Sequence, residues 1–139
     1  MSSKKSKDYL VIFITLLIDI SLVSLILLNK IKTHNDYVYI YTLFIIHSIF
    51  IYAILYHKTT LIDIIHIGLT LSFIIVLFIN SFYLKLIHLV LLIVIQFSWY
   101  IFGGCIISFS FSKGNLLIPY WTAVLWTLVL TYNLYHPLT

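Results

Sequence analysis

The chain has 139 residues, of which 63% are hydrophobic and only 9% are charged. This length suits one domain, and the composition excludes a water-soluble fold. All eight cationic side chains are Lys and all four anionic ones are Asp, so the formal net charge of +4 is a small excess shared by a few loops and one tail. That distribution also excludes a nucleic-acid-binding surface.

Five apolar runs of about 20 residues, the length that crosses about 30 Å of hydrocarbon, follow one another along the chain. No connection or tail is longer than eight residues, which leaves no room for a soluble domain. The sequence therefore predicts an all-α fold in which residues 1–139 form a single membrane domain, an integral membrane bundle of five transmembrane helices with short loops. The predicted spans are 9–28, 37–56, 62–82, 86–109 and 116–134.

The Lys residues predict the orientation of this bundle. Five of them lie on the side of the N-terminus, and three, Lys30, Lys32 and Lys85, lie on the other side. Because positively charged loops tend to stay on the cytosolic side, this excess predicts a cytosolic-side N-terminus and a C-terminus on the opposite side. In this assignment every Lys lies outside the spans, Asp8 lies in the tail and Asp36 lies in a loop.

Three polar residues share one predicted depth near the middle of the bilayer. Asp19, His47 and Gln96 are each the eleventh residue of the first, second and fourth span. Exposure of a carboxylate to lipid costs at least about 2.5–3.5 kcal/mol on insertion scales, so we expect Asp19 to face protein and to contact His47 on the adjacent antiparallel helix. Such a pair can exchange a proton near neutral pH, or it can act as a structural clamp between helices.

The third span begins with a second polar group. Thr60, followed three residues later by Asp63, resembles a capping box. Asp63 and His66 share a helix face, and they could bind a divalent metal if other helices supplied ligands, although capping by Asp63 explains them equally simply. We predict no metal site. A P-loop, a dinucleotide fingerprint and a His-Glu-x-x-His set are missing, so we expect no cofactor and no enzymatic activity.

The fourth span carries a polar stripe. His88, Gln96, Trp99 and Gly103 lie along one side of this span at helical spacing, with His88 near its outer end. A line of polar groups could thus cross the bilayer. It would run from Asp63 and His66 in the third span, through the three midplane residues, to His88. One interpretation of the stripe is a narrow proton or small-solute path. The alternative is a bundle that turns its polar residues inward while nothing passes.

Short motifs within residues 63–108 resemble a known family. They are Ile87-His88-Leu89, Trp99 and Gly103-Gly104-Cys105-Ile106-Ile107-Ser108, preceded by Asp63 and His66. An uncharacterised family of small bacterial and viral multi-span membrane proteins has a similar Leu-His-Leu, Trp, Cys-x-Leu-Thr/Ser pattern. The match covers about a third of the chain, and the Pro and the acidic residue that often follow the Cys are absent here. The resemblance implies no activity, but it implies a role beyond packing for His88, Trp99 and Cys105.

The sequence as a whole favours a multi-pass integral membrane protein without enzymatic activity. Its predicted role is that of a structural or assembly component, or a small-solute binder, in a membrane. The expected partners are the lipid bilayer and further membrane proteins, including copies of the same chain. The alternative is a small proton-coupled transporter or channel that uses the midplane cluster of Asp19, His47 and Gln96.

Overall fold

A computed structural model describes residues 3–102 and 117–137, and the side chains within 5–102 and 121–137. Across these residues the chain forms five α-helices, and no strand occurs among them. The predicted all-α fold is thereby confirmed for this part of the chain. The helices are α1 (Ser3–Leu27), α2 (His34–Leu55), α3 (Thr59–Ile75, continued by a 3₁₀ turn, Val76–Phe78), α4 (Phe82–Phe102) and α5 (Leu117–Tyr135).

Four segments are long and apolar enough to cross a membrane by length and composition. They are Lys5–Leu27, His34–Leu55, Thr59–Phe78 and Phe82–Phe102. These correspond to the first four predicted spans. The fifth helix, α5, lies along α4, and its crossing of the membrane stays a prediction.

Two tight turns reverse the chain after α1 and after α2. Asn29 and His57 both have φ of 52°, the left-handed conformation common just after a helix. The N–H of Lys30 donates to Leu25 O and that of Lys58 donates to Ala53 O, each at 2.9 Å. Because these bonds close the last helical turns, consecutive helices become antiparallel neighbours.

The first four helices each begin before the predicted span. Helix α1 begins at Ser3, six residues earlier than predicted, which places Asp8 in the helix rather than in the tail. Helix α4 begins at Phe82, four residues earlier than predicted, because the Ser81 hydroxyl accepts a hydrogen bond from the Leu84 N–H at 3.4 Å. Lys85 therefore lies in the helix, and the prediction that every Lys lies outside the spans is wrong. Helix α2 also begins earlier than its predicted span of 37–56. It starts at His34, which places Asp36 in its first turn rather than in a loop.

The predicted capping box of the third span is wrong as well. Helix α3 begins at Thr59, and its N-cap residue is Lys58, whose side chain makes no capping hydrogen bond. The side-chain cap of this type lies instead at the start of α2, where Thr33 Oγ1 accepts from the Asp36 N–H at 3.2 Å. The two sites share the pattern Thr-x-x-Asp, and only the first of them is used at a helix start.

Helix α2 is the most buried of the four long apolar segments. It packs against α1 and α3, while α4 packs against α1 and α5. Its buried side chains recur every three or four residues, which is the spacing of one helix face. They are Asp36, Tyr39, Ile40, Leu43, His47, Phe50, Ala53 and Ile54.

Candidate functional site: polar contacts between the helices

The carboxylate of Asp19 and the imidazole of His47 are in direct contact. The distance from His47 Nδ1 to Asp19 Oδ1 is 2.6 Å. The His47 side chain is 6% exposed and the Asp19 side chain is 22% exposed. The predicted contact is thus confirmed, and the two residues lie on the faces that α1 and α2 turn toward each other. This hydrogen bond joins α1 to α2. At 2.6 Å it is shorter than an ordinary N–H···O bond, which is typical of bonds between charged groups.

A second contact joins three helices around one hydroxyl group. Tyr39 Oη of α2 lies 3.0 Å from the Ser72 carbonyl oxygen of α3 and 2.7 Å from His88 Nε2 of α4. All three residues are buried. The ring of Phe73 meets the His88 ring edge-on, at 5.5 Å between centroids. His88 was predicted near the outer end of a stripe, and the structure places it inside this contact.

The hydrogen bonds of His88 fix where its protons can be. His88 Nδ1 lies 2.9 Å from the Leu84 carbonyl oxygen, which can only accept, so Nδ1 carries a hydrogen. In a neutral ring Nε2 then accepts the proton of the Tyr39 hydroxyl. In a protonated ring Nε2 donates to Tyr39 Oη, and the hydroxyl donates to Ser72 O. The same heavy-atom positions therefore fit both protonation states of His88.

Gln96 makes its inter-helix contacts with α5. Its Nε2 donates to Thr127 Oγ1 at 2.6 Å and approaches Ala123 O at 3.4 Å. The indole of Trp126 adds a bond from α5 to α3, because its Nε1 donates to Phe73 O at 2.9 Å. Of the three residues of the predicted midplane cluster, Asp19 and His47 are in contact with each other, while the Gln96 amide bonds to α5.

Two buried charged residues were missed by the sequence analysis. Asp36 is 2% exposed and Lys85 is 3% exposed. Asp36 Oδ1 accepts from the Asn80 N–H at 3.3 Å, and its charge attracts the ammonium group of Lys85. Two sequence signals could have indicated them. Thr33 three residues before Asp36 is a capping pattern, and Ser81 is a good N-cap for α4.

The remaining predicted site residues are more scattered. Asp63 and His66 are half-buried on α3, and the His66 carbonyl accepts from Thr70 Oγ1 at 2.8 Å. Within the described residues, no group of three or more His, Cys, Asp and Glu side chains could hold a metal ion. The Trp99 indole Nε1 is buried with no hydrogen-bond partner in the described part of the chain. Gly103 and Cys105 lie outside the described residues.

The helices and their contacts define an all-α bundle with four segments fitted to a membrane by length and composition. No protein family, curated protein or solved structure matches the chain. The resemblance of residues 63–108 to a family of small multi-span membrane proteins therefore stays a prediction. Function is inferred from the polar contacts themselves.

Proposed function

We propose that this chain is an integral membrane protein that crosses the bilayer five times and serves as a structural or assembly component of a membrane. It acts without enzymatic activity and with its N-terminus on the cytosolic side. The observation that carries this proposal is that polar side chains inside the apolar helices bond across helix pairs. Asp19 joins α1 to α2, Tyr39 joins α2 to α3 and α4, and Gln96 joins α4 to α5.

These contacts stabilise the association of the helices in lipid, where the hydrophobic effect does not drive helices together. Lipid tails are as apolar as Leu, so packing and inter-helix hydrogen bonds hold such bundles together, at about 0.6–2 kcal/mol per bond. Together the contacts connect all five helices, and a bundle linked in this way is suited to a structural role.

A fifth crossing is supported by the way α5 pairs with α4. Helix α5 has 19 residues, which corresponds to about 28 Å of helix, close to the thickness of the hydrocarbon layer. The bond from Gln96 to Thr127 sets the middle of α5 beside the second half of α4, so α5 runs along a helix that is itself long and apolar enough to cross the bilayer.

The Asp19 carboxylate also supports an assembly role. Its Oδ1 contacts His47, and the side chain keeps 22% exposure at the edge between α1 and α2. Exposure of a carboxylate to lipid is costly, so a further membrane helix, from a second copy or another protein, would stabilise this edge. Oxidative cross-linking in membranes tests a second copy. In a Cys105→Ser background, Ile20→Cys beside Asp19 should give a cross-linked dimer.

The matched control for cross-linking is Phe97→Cys on α4. Phe97 and Ile20 are similarly exposed, at 64% and 61%. We expect the control to give little dimer. Equal dimer from both positions would mean random collision and would contradict assembly of copies through the Asp19 edge.

The alternative function, a small proton-coupled transporter or channel using Asp19, His47 and Gln96, is favoured by one observation. A carboxylate 2.6 Å from an imidazole is a pair that can pass a proton. The test is reconstitution in liposomes with an internal pH dye and an imposed potential. The structural proposal expects no proton or cation flux above that of protein-free liposomes.

A flux in the wild type that Asp19→Asn abolishes would overturn the structural proposal and favour transport. Asp8→Asn is the control, because Asp8 lies in the first part of α1, outside the predicted span. If both variants fold and carry the wild-type flux, the Asp19 carboxylate is not part of a path.

A further inference from the structure

A groove of about 340 Å³ lies between α2 and α3, toward the end where α2 begins. The two helices pack closely near their connecting turn, around Phe50, Ala53 and Ile62. Farther from the turn, Gly68 leaves a gap, since a Cβ added there would meet no atom within 4 Å. The α2–α3 groove is this gap and its continuation, and its walls include Val38, Leu43, Ile46, Gly68, Ile75 and Ile79.

The length of the α2–α3 groove matches one leaflet of a bilayer. On α2 it runs from Asn35 to Ile46. Eleven helical residues rise about 16 Å, and half of the hydrocarbon layer is about 15 Å. The groove therefore reaches from the membrane surface to the midplane.

Apart from Asn35 at its end, the polar side chains that line the groove are already bonded within the protein. Thr42 Oγ1 donates to Val38 O at 2.8 Å, and Ser72 Oγ donates to Leu69 O at 2.6 Å. The Tyr39 hydroxyl is engaged by Ser72 O and by His88. A polar solute would therefore find little to bind, and the surface presented is aliphatic. Such a surface fits a hydrocarbon chain.

Two exposed Lys side chains lie in the connection just before α2, at the end of the bundle where the groove opens. They are Lys30, whose ammonium lies 5.6 Å from the centroid of the Tyr83 ring, and Lys32, while exposed Asn35 lines the groove itself. Cationic side chains near the membrane surface attract anionic lipid headgroups. We propose that the α2–α3 groove binds one acyl chain of an anionic phospholipid, with the phosphate at the Lys30 and Lys32 end.

This lipid site rests on the proposed membrane insertion and is independent of the assembly role. The test uses protein reconstituted in vesicles of phosphatidylglycerol and phosphatidylcholine, then extracted gently and weighed by native mass spectrometry. We expect about one phosphatidylglycerol per chain. Gly68→Phe fills the groove and should lower its occupancy at least about tenfold, which corresponds to about 1.4 kcal/mol.

Ile67→Phe is the matched control, because Ile67 precedes Gly68 and is 57% exposed. It should retain lipid like the wild type. Val38→Trp narrows the groove from the α2 wall and should reproduce the loss if Gly68→Phe folds poorly. Lys30→Gln with Lys32→Gln should remove the preference for phosphatidylglycerol over phosphatidylcholine.

Two results would overturn the lipid site while leaving membrane insertion intact. One is a wild type that floats with the vesicles but retains no lipid. The other is undiminished retention in folded Gly68→Phe and Val38→Trp. A wild type that fails to float with vesicles would instead contradict the proposed membrane insertion.

Discussion

Tyr39 Oη lies 2.7 Å from His88 Nε2 and so links α2 directly to α4. The same oxygen lies 3.0 Å from Ser72 O, which adds α3 to the contact. A single hydroxyl group therefore connects three of the five described helices. Since all three residues are buried, water cannot replace the hydroxyl at low cost if it is removed.

Tyr39→Phe should destabilise the bundle by about 1–3 kcal/mol, because His88 Nε2 loses its buried partner while the aromatic ring stays. Tyr41→Phe is the control, since the Tyr41 side chain is 57% exposed. Its effect should stay within about 0.5 kcal/mol. Reversible unfolding in detergent micelles measures both. Equal unfolding free energies of the two variants would show that the Tyr39 hydroxyl does not stabilise the bundle.

Gln96→Leu should weaken the attachment of α5 to α4. The variant removes the bond to Thr127 that links α4 to α5, at a cost of about 0.6–2 kcal/mol. Hydrogen exchange should speed up in α5 more than in α1. Thr131→Val is the control, because the Thr131 hydroxyl bonds to Thr127 O of its own helix. Unchanged exchange in α5 of Gln96→Leu would refute this link.

Lys85→Met should be more damaging than a surface Lys substitution. It removes a positive charge that the Asp36 carboxylate, which is 2% exposed, attracts, so we expect a loss of about 1–3 kcal/mol. Adding Asp36→Asn should recover part of the lost stability. Lys32→Met, at an exposed position, should change the unfolding free energy by less than about 0.5 kcal/mol. A Lys85→Met variant as stable as Lys32→Met would show that the charges do not interact.

The two chain termini should lie on opposite sides of the membrane, because the proposed number of crossings is odd. Reporter fusions at each end measure this directly, and the positive-inside rule assigns the cytosolic side to the N-terminus. Both reporters on one side would mean an even number of crossings. That result would leave α5 beside the membrane rather than through it.

Much of the fold follows from apolar run length, and the Asp19 and His47 contact follows from equal depth on adjacent helices. The start of α4 does not follow from the length of the apolar run. A Lys inside an apolar helix is normally costly, so Lys85 was assigned to a loop. In the structure Lys85 lies in the first turn of α4, because Ser81 starts the helix upstream of it.

Depth alone also cannot tell which neighbour a side chain faces. Gln96 shares its predicted depth with Asp19, yet its amide bonds to Thr127 on α5. That choice depends on the rotation of α4 about its axis, which is set by packing against α1 and α5 together. The contact of Tyr39 with His88 depends on the rotation of α2 and α4 in the same way.

The measurement that tests the structural account most directly is a double-mutant cycle across Asp19 and His47. Asp19→Ala, His47→Ala and the double variant are unfolded in micelles, and the coupling free energy is the departure from additivity. We expect each single variant to lose stability and the pair to show favourable coupling of about 1 kcal/mol, because the partners lie 2.6 Å apart. Strictly additive losses, with no coupling, would contradict the claim that this contact holds α1 to α2.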